Sequence, residues 1–275
     1  IFKKCEDGGR IKSVSHKQHE EYFVREKFRK NAEDGDIVSC KILSEKYFGL
    51  KEVKITKLLG KLNDPGTIGD LVLARNDIPV NFSEDVIKSA QNKKAVTMEG
   101  RVDLRNFDFV TIDDDDARDF DDAVWAEHNV TGKGKWRILI AIADVAFYVQ
   151  LQEPMDTEAR NRGNSVYLPD RVVPMLPEEL SNNLCSLIPN EDRPCLAVEI
   201  DIDSEGQKIR HKFIRGIMRS SARLTYKQVQ SLREGKTKDL PIKKSRLDPL
   251  YGAFEAIEKA RKKRGALDLN FPEKK

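Results

Sequence analysis

Apolar and polar positions alternate through Asp36-Ile37-Val38-Ser39-Cys40-Lys41-Ile42 and again through Lys51-Glu52-Val53-Lys54-Ile55-Thr56-Lys57-Leu58-Leu59. A period of two marks half-buried strands. Turn signals at Gly8-Gly9, Asp34-Gly35-Asp36 and Asp64-Pro65-Gly66 cut residues 1–80 into roughly five short strands, which suits a small Greek-key barrel such as an OB-fold. The pattern then turns helical from Ile78-Pro79 to about Lys94, with Ser83 as N-cap, Glu84 and Asp85 in the first turn, and Val86, Ile87 and Ala90 on one face. Two short β-type runs follow, around 109–112 and 123–126, and a turn at 131–134. Trp136 to Asp144 is too apolar for an exposed face and reads as a central strand, with Ile138, Ile140 and Ile142 on its inward face.

Met155 to Arg162 reads as a helix, with Pro154 near its start and Gly163 at its C-cap. Strands are predicted over Cys195–Ile202 and Ile209–Met218, joined by the turn Asp203-Ser204-Glu205-Gly206. Asp248-Pro249 then caps a helix to Arg264, with Leu250, Phe254, Ile257 and Ala260 inward. The class is α+β. Residues 1–80 form a barrel, 81–102 a linker with a short helix, and 103–275 a mixed α/β domain.

Composition adds little to this picture; charge adds more. The chain has 275 residues, 35% of them charged and 39% hydrophobic, and a formal charge of +3. That small net value conceals −12 over residues 113–204 and +12 over 205–275. An acidic centre beside a basic tail suits a metal site that also holds a polyanion. Cys5, Cys40, Cys185 and Cys195 show neither a CxxC pair nor zinc spacing, and the four histidines are scattered, so any metal is oxygen-bound. Lone cysteines of this kind suit a reducing, cytoplasmic setting. No apolar run nears the ~20 residues that span a bilayer. The start at Ile1, without Met or signal segment, reads as a cut fragment.

The chemistry concentrates between the two short runs, where seven carboxylates fall within the ten residues Asp113 to Asp122. Like charges so close repel and raise one another's pKa, and a cation reverses the balance. Hard divalent ions take carboxylate oxygens, and two of them about 4 Å apart clamp both oxygens of a phosphodiester displacement. Asp113, Asp119, Asp121 and Asp122 are the candidates. A solvated acidic loop is the competing reading. Phe120 interrupts the run and a strand resumes at Ala123, so the loop is held at its ends. An EF-hand is excluded because the fifth and sixth positions from Asp113 are Ala117 and Arg118. Arg215, Arg219 and Arg223 recur at spacing four, fit to meet phosphates or to pair with the acidic loop. Near the amino end, Tyr22, Phe23, Phe28, Tyr47 and Phe48 interleave with Lys17, Arg25, Lys27, Arg29, Lys30 and Lys46, as in barrels that stack single strands; half or more of these aromatics belong to the core.

Thr111-Ile112-Asp113 with Asp116-Ala117-Arg118-Asp119-Phe120-Asp121-Asp122-Ala123-Val124 resembles the signature of the RNB domain of the ribonuclease II / ribonuclease R family. The likeness continues through Ile142-Ala143-Asp144-Val145, Arg162-Gly163-Asn164-Ser165-Val166-Tyr167-Leu168-Pro169, Pro174-Met175-Leu176-Pro177 and Leu184-Cys185-Ser186-Leu187. It implies a cold-shock-like OB barrel followed by the first half of the RNB domain. It also implies a Mg²⁺-dependent 3′→5′ exoribonuclease, Mn²⁺ being a possible substitute. Such an enzyme degrades single-stranded RNA processively to nucleoside 5′-monophosphates, as a cytoplasmic monomer without membrane contact.

On that resemblance Asp113, Asp119 and Asp122 hold metal, Asp121 holds the terminal ribose hydroxyls or shares a metal, and Tyr167 stacks on a base near the 3′ end. The family's domain is longer than this stretch, and its later half supplies a phosphate-stabilising arginine. The piece is therefore expected to be inactive or weakly active alone. Asp114-Asp115 departs from the family pattern and reads as a pair of exposed spectators. Two other classes compete: a non-catalytic RNA-binding module with an inert loop, and a nucleotide-sugar transferase using Asp-x-Asp on Mn²⁺. The transferase requires a nucleotide-binding α/β unit ahead of the motif, where the sequence puts short strands.

Overall fold

A computed structural model of the chain describes residues 1–14, 20–47, 49–61, 63–64, 66–128, 135–237 and 240–267. In chain order the strands are β1 (Phe2–Cys5), β2 (Gly8–Lys12), β3 (Glu21–Arg25), β4 (Asp36–Tyr47), β5 (Leu50–Lys61), β6 (Val102–Asp103), β7 (Phe109–Asp113), β8 (Asp122–His128), β9 (Trp136–Ala143), β10 (Val166–Tyr167), β11 (Val172–Val173), β12 (Asp192–Ile202) and β13 (Lys208–Thr225). The helices are α1 (Thr67–Arg75), α2 (Glu84–Gln91), α3 (Val145–Tyr148), α4 (Pro154–Arg162), α5 (Tyr226–Arg233) and α6 (Lys244–Lys263). The chain divides into two units, Ile1–Asn81 with Ser165–Val173, and Phe82–Asn164 with Pro174–Lys275.

In the first unit five strands pair in the order β1-β2-β3-β5-β4, with β3 and β5 parallel and the other pairs antiparallel. This is the expected OB-type barrel. Phe2, Ile11, Val24, Val53 and Ile55 fill its core, with Tyr22 and Phe28 packed against them, and Phe23 is buried. Tyr47 stacks on Phe23 at 4.6 Å, so the aromatics serve the core first. Among the basic residues, Arg25 is bound to Glu45 and to the buried Glu52, and Lys30 donates to the Thr56 carbonyl at 2.8 Å. Lys17 and Phe48 lie outside the described residues, as does the turn at 131–134.

Helix α1 follows the barrel, where the sequence predicts only strands and turns. Leu73 is its one buried apolar side chain, so no apolar stripe announces it. The β10–β11 hairpin belongs to this unit. Arg171 fixes it to α1 by donating to the Gly66 carbonyl at 2.9 Å and pairing with Asp70 at 3.0 Å.

The second unit is built on a sheet ordered β12-β9-β8-β7-β13-β6, and an added β12–β13 pairing closes five of the strands into a ring. Its buried cluster holds Phe109, Ala123, Leu139, Ala141, Ala143, Cys195, Ala197 and Met218. A ring of so few strands leaves little interior volume, which explains the alanines. The inward face of β9 is therefore Leu139, Ala141 and Ala143. Ile138, Ile140 and Ile142, expected inward, alternate to the other side. There Ile138 lies in the cluster under α6, while Ile142 is 46% exposed.

Helix α6 starts at Lys244, four residues before the expected Asp248 cap, and Pro249 falls in its second turn at the loss of one amide hydrogen bond. Its fully buried face is Leu247, Ala253, Ala256 and Ala260; Leu250 packs partly buried against the same clusters, as expected, whereas Phe254 and Ile257 are exposed. Close approach selects small residues. A Cβ on Gly252 would fall 2.4 Å from the Trp136 ring, and one on Gly206 would fall 2.1 Å from the Ala256 carbonyl. Helix α2 is shorter than predicted, with Ser83 capping the Val86 amide and Val86 and Ala90 buried; Ile87 is exposed. Helix α4 matches its prediction, with Gly163 ending it at φ 78°.

Candidate active site

Strand β7 ends at Asp113 and β8 begins at Asp122, and the two strands pair through Val110 and Val124. The two ends of the acidic loop are thus brought back beside each other. Phe120 explains how a stretch this charged is held. Its ring is 6% exposed within the ring's core, and it pins the loop between Asp119 and Asp121. The Phe120 carbonyl accepts from the Leu187 amide at 2.9 Å, and the Asp121 carbonyl accepts from the Ala143 amide at 2.9 Å.

The four candidate carboxylates lie close enough to charge one another. Asp121 is pushed above the usual carboxyl range, first by partial burial and then by Asp119, Asp122 and Asp113. Asp122 is pushed the same way by partial burial and Asp113. No lysine or arginine offsets either shift among the described residues. Asp113 accepts the Asp114 amide at 2.8 Å, which tightens the first turn of the loop.

Cations meet the other half of the loop. Arg223 donates to the carbonyls of Asp114 and Asp115 at 3.2 and 2.6 Å and lies over the Phe120 ring at 5.2 Å; Lys227 pairs with Asp115 at 3.0 Å. Asp114 and Asp115 are exposed, as expected. The arginines of β13 meet partners fixed by strand register. Arg219 lies opposite Asp192 on β12 and pairs with it at 2.7 Å, and Arg215 binds Asp144 at 2.9 Å. Of the three only Arg223 reaches the acidic loop, and it does so through backbone oxygens.

Tyr226 was not anticipated. It opens α5 directly after Thr225, which pairs in register with Asp113, and its exposed phenol is pushed up by partial burial and then by Asp113, Asp122 and Asp114. The Thr225-x-x-Gln228 capping box is the legible signal for this helix start. Tyr167, the expected base-stacking residue, is 66% exposed on the β10–β11 hairpin of the first unit, whereas the carboxylates belong to the second.

The donor set suits a hard divalent cation: it is all oxygen, and two of its members carry uncompensated charge. Among the described residues no group of three or more His, Cys, Asp or Glu is close enough to form a ready-made metal cage. The residues fit the ion chemically, and the ligand sphere is left to be completed by waters or substrate oxygens, as is usual for Mg²⁺.

Comparison with known proteins matches residues 101–275 to the RNB domain and residues 11–83 to a cold shock domain. The chain is 42% identical over 231 residues to ribonuclease R of Escherichia coli (strain K12), covering 81% of this chain and 28% of that protein. Its structure resembles Mycoplasma genitalium RNase R in complex with double-stranded RNA, with a TM-score of 0.85 and 29% identity, over 93% of this chain and 46% of that one. It also resembles yeast Ssd1, a pseudonuclease, with a TM-score of 0.68 over 93% of this chain and 33% of that one; at 16% identity this likeness concerns the fold alone. The chain thus spans between about a quarter and half the length of these relatives.

Proposed function

Since the chain belongs to the RNB-domain family of ribonuclease II and ribonuclease R, we propose that it is the cold-shock and early catalytic portion of a Mg²⁺-dependent 3′→5′ exoribonuclease. This enzyme degrades single-stranded RNA processively to nucleoside 5′-monophosphates, as a monomer in the cytoplasm. Four unpaired cysteines suit a reducing compartment. Among the described residues no helix is long and apolar enough to cross a membrane.

The observation that carries this reading is the uncompensated charge at Asp121 and Asp122. In the proposed mechanism Asp113, Asp119 and Asp122 hold Mg²⁺, and Asp121 binds the terminal ribose hydroxyls or shares the ion. Bound Mg²⁺ would polarise the scissile phosphate and raise the acidity of the attacking water. The backbone bonds at Phe120 and Asp121 keep the carboxylates in place, which limits reorganisation during the reaction. Tyr167 stacks on the terminal base; every base offers a π face, so this contact tolerates any sequence.

One reading competes with this, an RNA-binding module with an inert loop. In the full-length gene product, Asp121→Asn is expected to slow RNA hydrolysis by at least about a thousandfold, the scale of losing ~4 kcal/mol of transition-state stabilisation. RNA affinity should stay within a few-fold, since ground-state phosphate contacts are untouched. Near-normal hydrolysis by the variant would overturn the catalytic assignment. Absence of hydrolysis in the wild type would favour the binding module.

A further inference from the structure

The carboxylate half of the acidic loop is held by a residue remote in sequence. Ser186 is wholly buried, just after the helical turn Glu179–Leu184. Its hydroxyl donates to the Arg118 carbonyl at 2.9 Å, and the same oxygen accepts from the Phe120 amide at 3.0 Å. A serine hydroxyl can do both at once. The residue spanned by these two bonds is Asp119. Asp121 follows, its carbonyl tied to the Ala143 amide at 2.9 Å.

We propose that Ser186 is a positioning residue, which sets the direction of the Asp119 and Asp121 carboxylates by fixing the backbone on both sides of Asp119. The inference rests on the exoribonuclease reading of this loop. Without the hydroxyl, the buried Phe120 amide and the part-buried Arg118 carbonyl lose their partner together, and an unsatisfied buried amide drives local rearrangement. The loop re-seats to satisfy them, and Asp119 turns with it. Outer-shell partners of this kind typically govern metal affinity or activity by roughly 10–100-fold.

The test uses the full-length gene product with Ser186→Ala, Ser186→Cys and Ser186→Thr. Mn²⁺ binding is followed by electron paramagnetic resonance, RNA hydrolysis by kcat and KM, and fold by far-UV circular dichroism and Tm. Ser186→Ala is expected to weaken Mn²⁺ binding and lower kcat by about 10–100-fold, with KM for RNA within about threefold. Ser186→Thr, which keeps the hydroxyl, is expected to recover most of both. Ser186→Cys keeps the volume with a poor hydrogen-bonding group, so a loss there with unchanged spectrum and Tm is positional.

Wild-type Mn²⁺ affinity and kcat in a folded Ser186→Ala would overturn the proposal, as would loss of fold in both the Ala and Cys variants, which would make the hydroxyl a core element only. If the wild type itself neither binds Mn²⁺ nor hydrolyses RNA, the exoribonuclease reading fails, and with it this inference's premise. If the wild type does both and Ser186→Ala matches it, only the role of Ser186 fails.

Discussion

Within one unit the same residue type is kept in two opposite states. Asp144, Asp192 and Asp201 each sit between two arginines: Arg101 and Arg215, Arg105 and Arg219, Arg137 and Arg210. Burial alone would raise their pKa values, yet the paired guanidinium groups hold all three carboxyls below the usual range. Asp121 and Asp122 are shifted upward, first by partial burial and then by neighbouring aspartates. The chain does not lack cations near the loop, because Arg223 and Lys227 reach it. They bind the carbonyls of Asp114 and Asp115 and the carboxylate of Asp115. Charge is neutralised at Asp115 and left standing at Asp121 and Asp122, where the proposed cation would be held. Strained electrostatics of this sort concentrates at functional sites.

The largest effect should come from breaking a paired carboxylate. Asp144 is 8% exposed and Arg101 5% at their side chains, so Asp144→Ala strands a buried guanidinium. The expected loss is about 3–5 kcal/mol in urea unfolding of the unit, and a loss below ~1 kcal/mol would show that the clamp is ornamental. The pH dependence has a definite sign. A carboxyl whose folded pKa is depressed stabilises fully above its unfolded value, about 3.9, and ceases to do so as pH falls through the folded value. The gap between wild type and variant should therefore close below about pH 3.9.

A smaller effect of opposite sign is expected in the loop. Without metal, Asp121→Asn removes one member of a self-repelling set, and Tm should rise by about 1–2 °C in calorimetry with chelator present. A fall in Tm would mean that the loop's charges are not in conflict and would remove the contrast drawn above. The smallest effect is that of Mg²⁺ itself on the 275-residue chain. With an incomplete cage, Kd is expected near a millimolar concentration, and stabilisation of RT ln 2, ~0.4 kcal/mol, gives a shift of only about 1 °C. Asp121→Asn should abolish even that. A shift of many degrees would mean that these residues alone make a tight site.

The barrel and the loop were legible because both depend on local pattern: alternation in the strands, and carboxylate density between two apolar runs. The misread parts depend on contacts across the chain. The inward face of α6 is set by the fit of Gly252 against Trp136, which favours its small residues over the larger Phe254 and Ile257 that periodicity selected. The face of β9 was inverted because ring closure, invisible in sequence, makes the alanine side the interior. Arginines spaced by four do not keep one side of β13: the bulge between Ser220 and Ala222 turns Arg223 to the other side, and register with β12 sets Arg219 opposite Asp192. Ser186 lies 66 residues beyond Phe120, and nothing in its own neighbourhood betrays a bond to the loop.

Ser165–Val173 is separated from residues 1–81 by more than eighty residues of another unit, yet it packs with them. The covalent boundary near residue 81 is therefore not the mechanical one. A chimera that exchanged only the amino-terminal barrel would leave Arg171 facing a foreign helix in place of Asp70 and the Gly66 carbonyl. Grafts of this barrel between relatives should carry the hairpin with it, as one module encoded in two pieces.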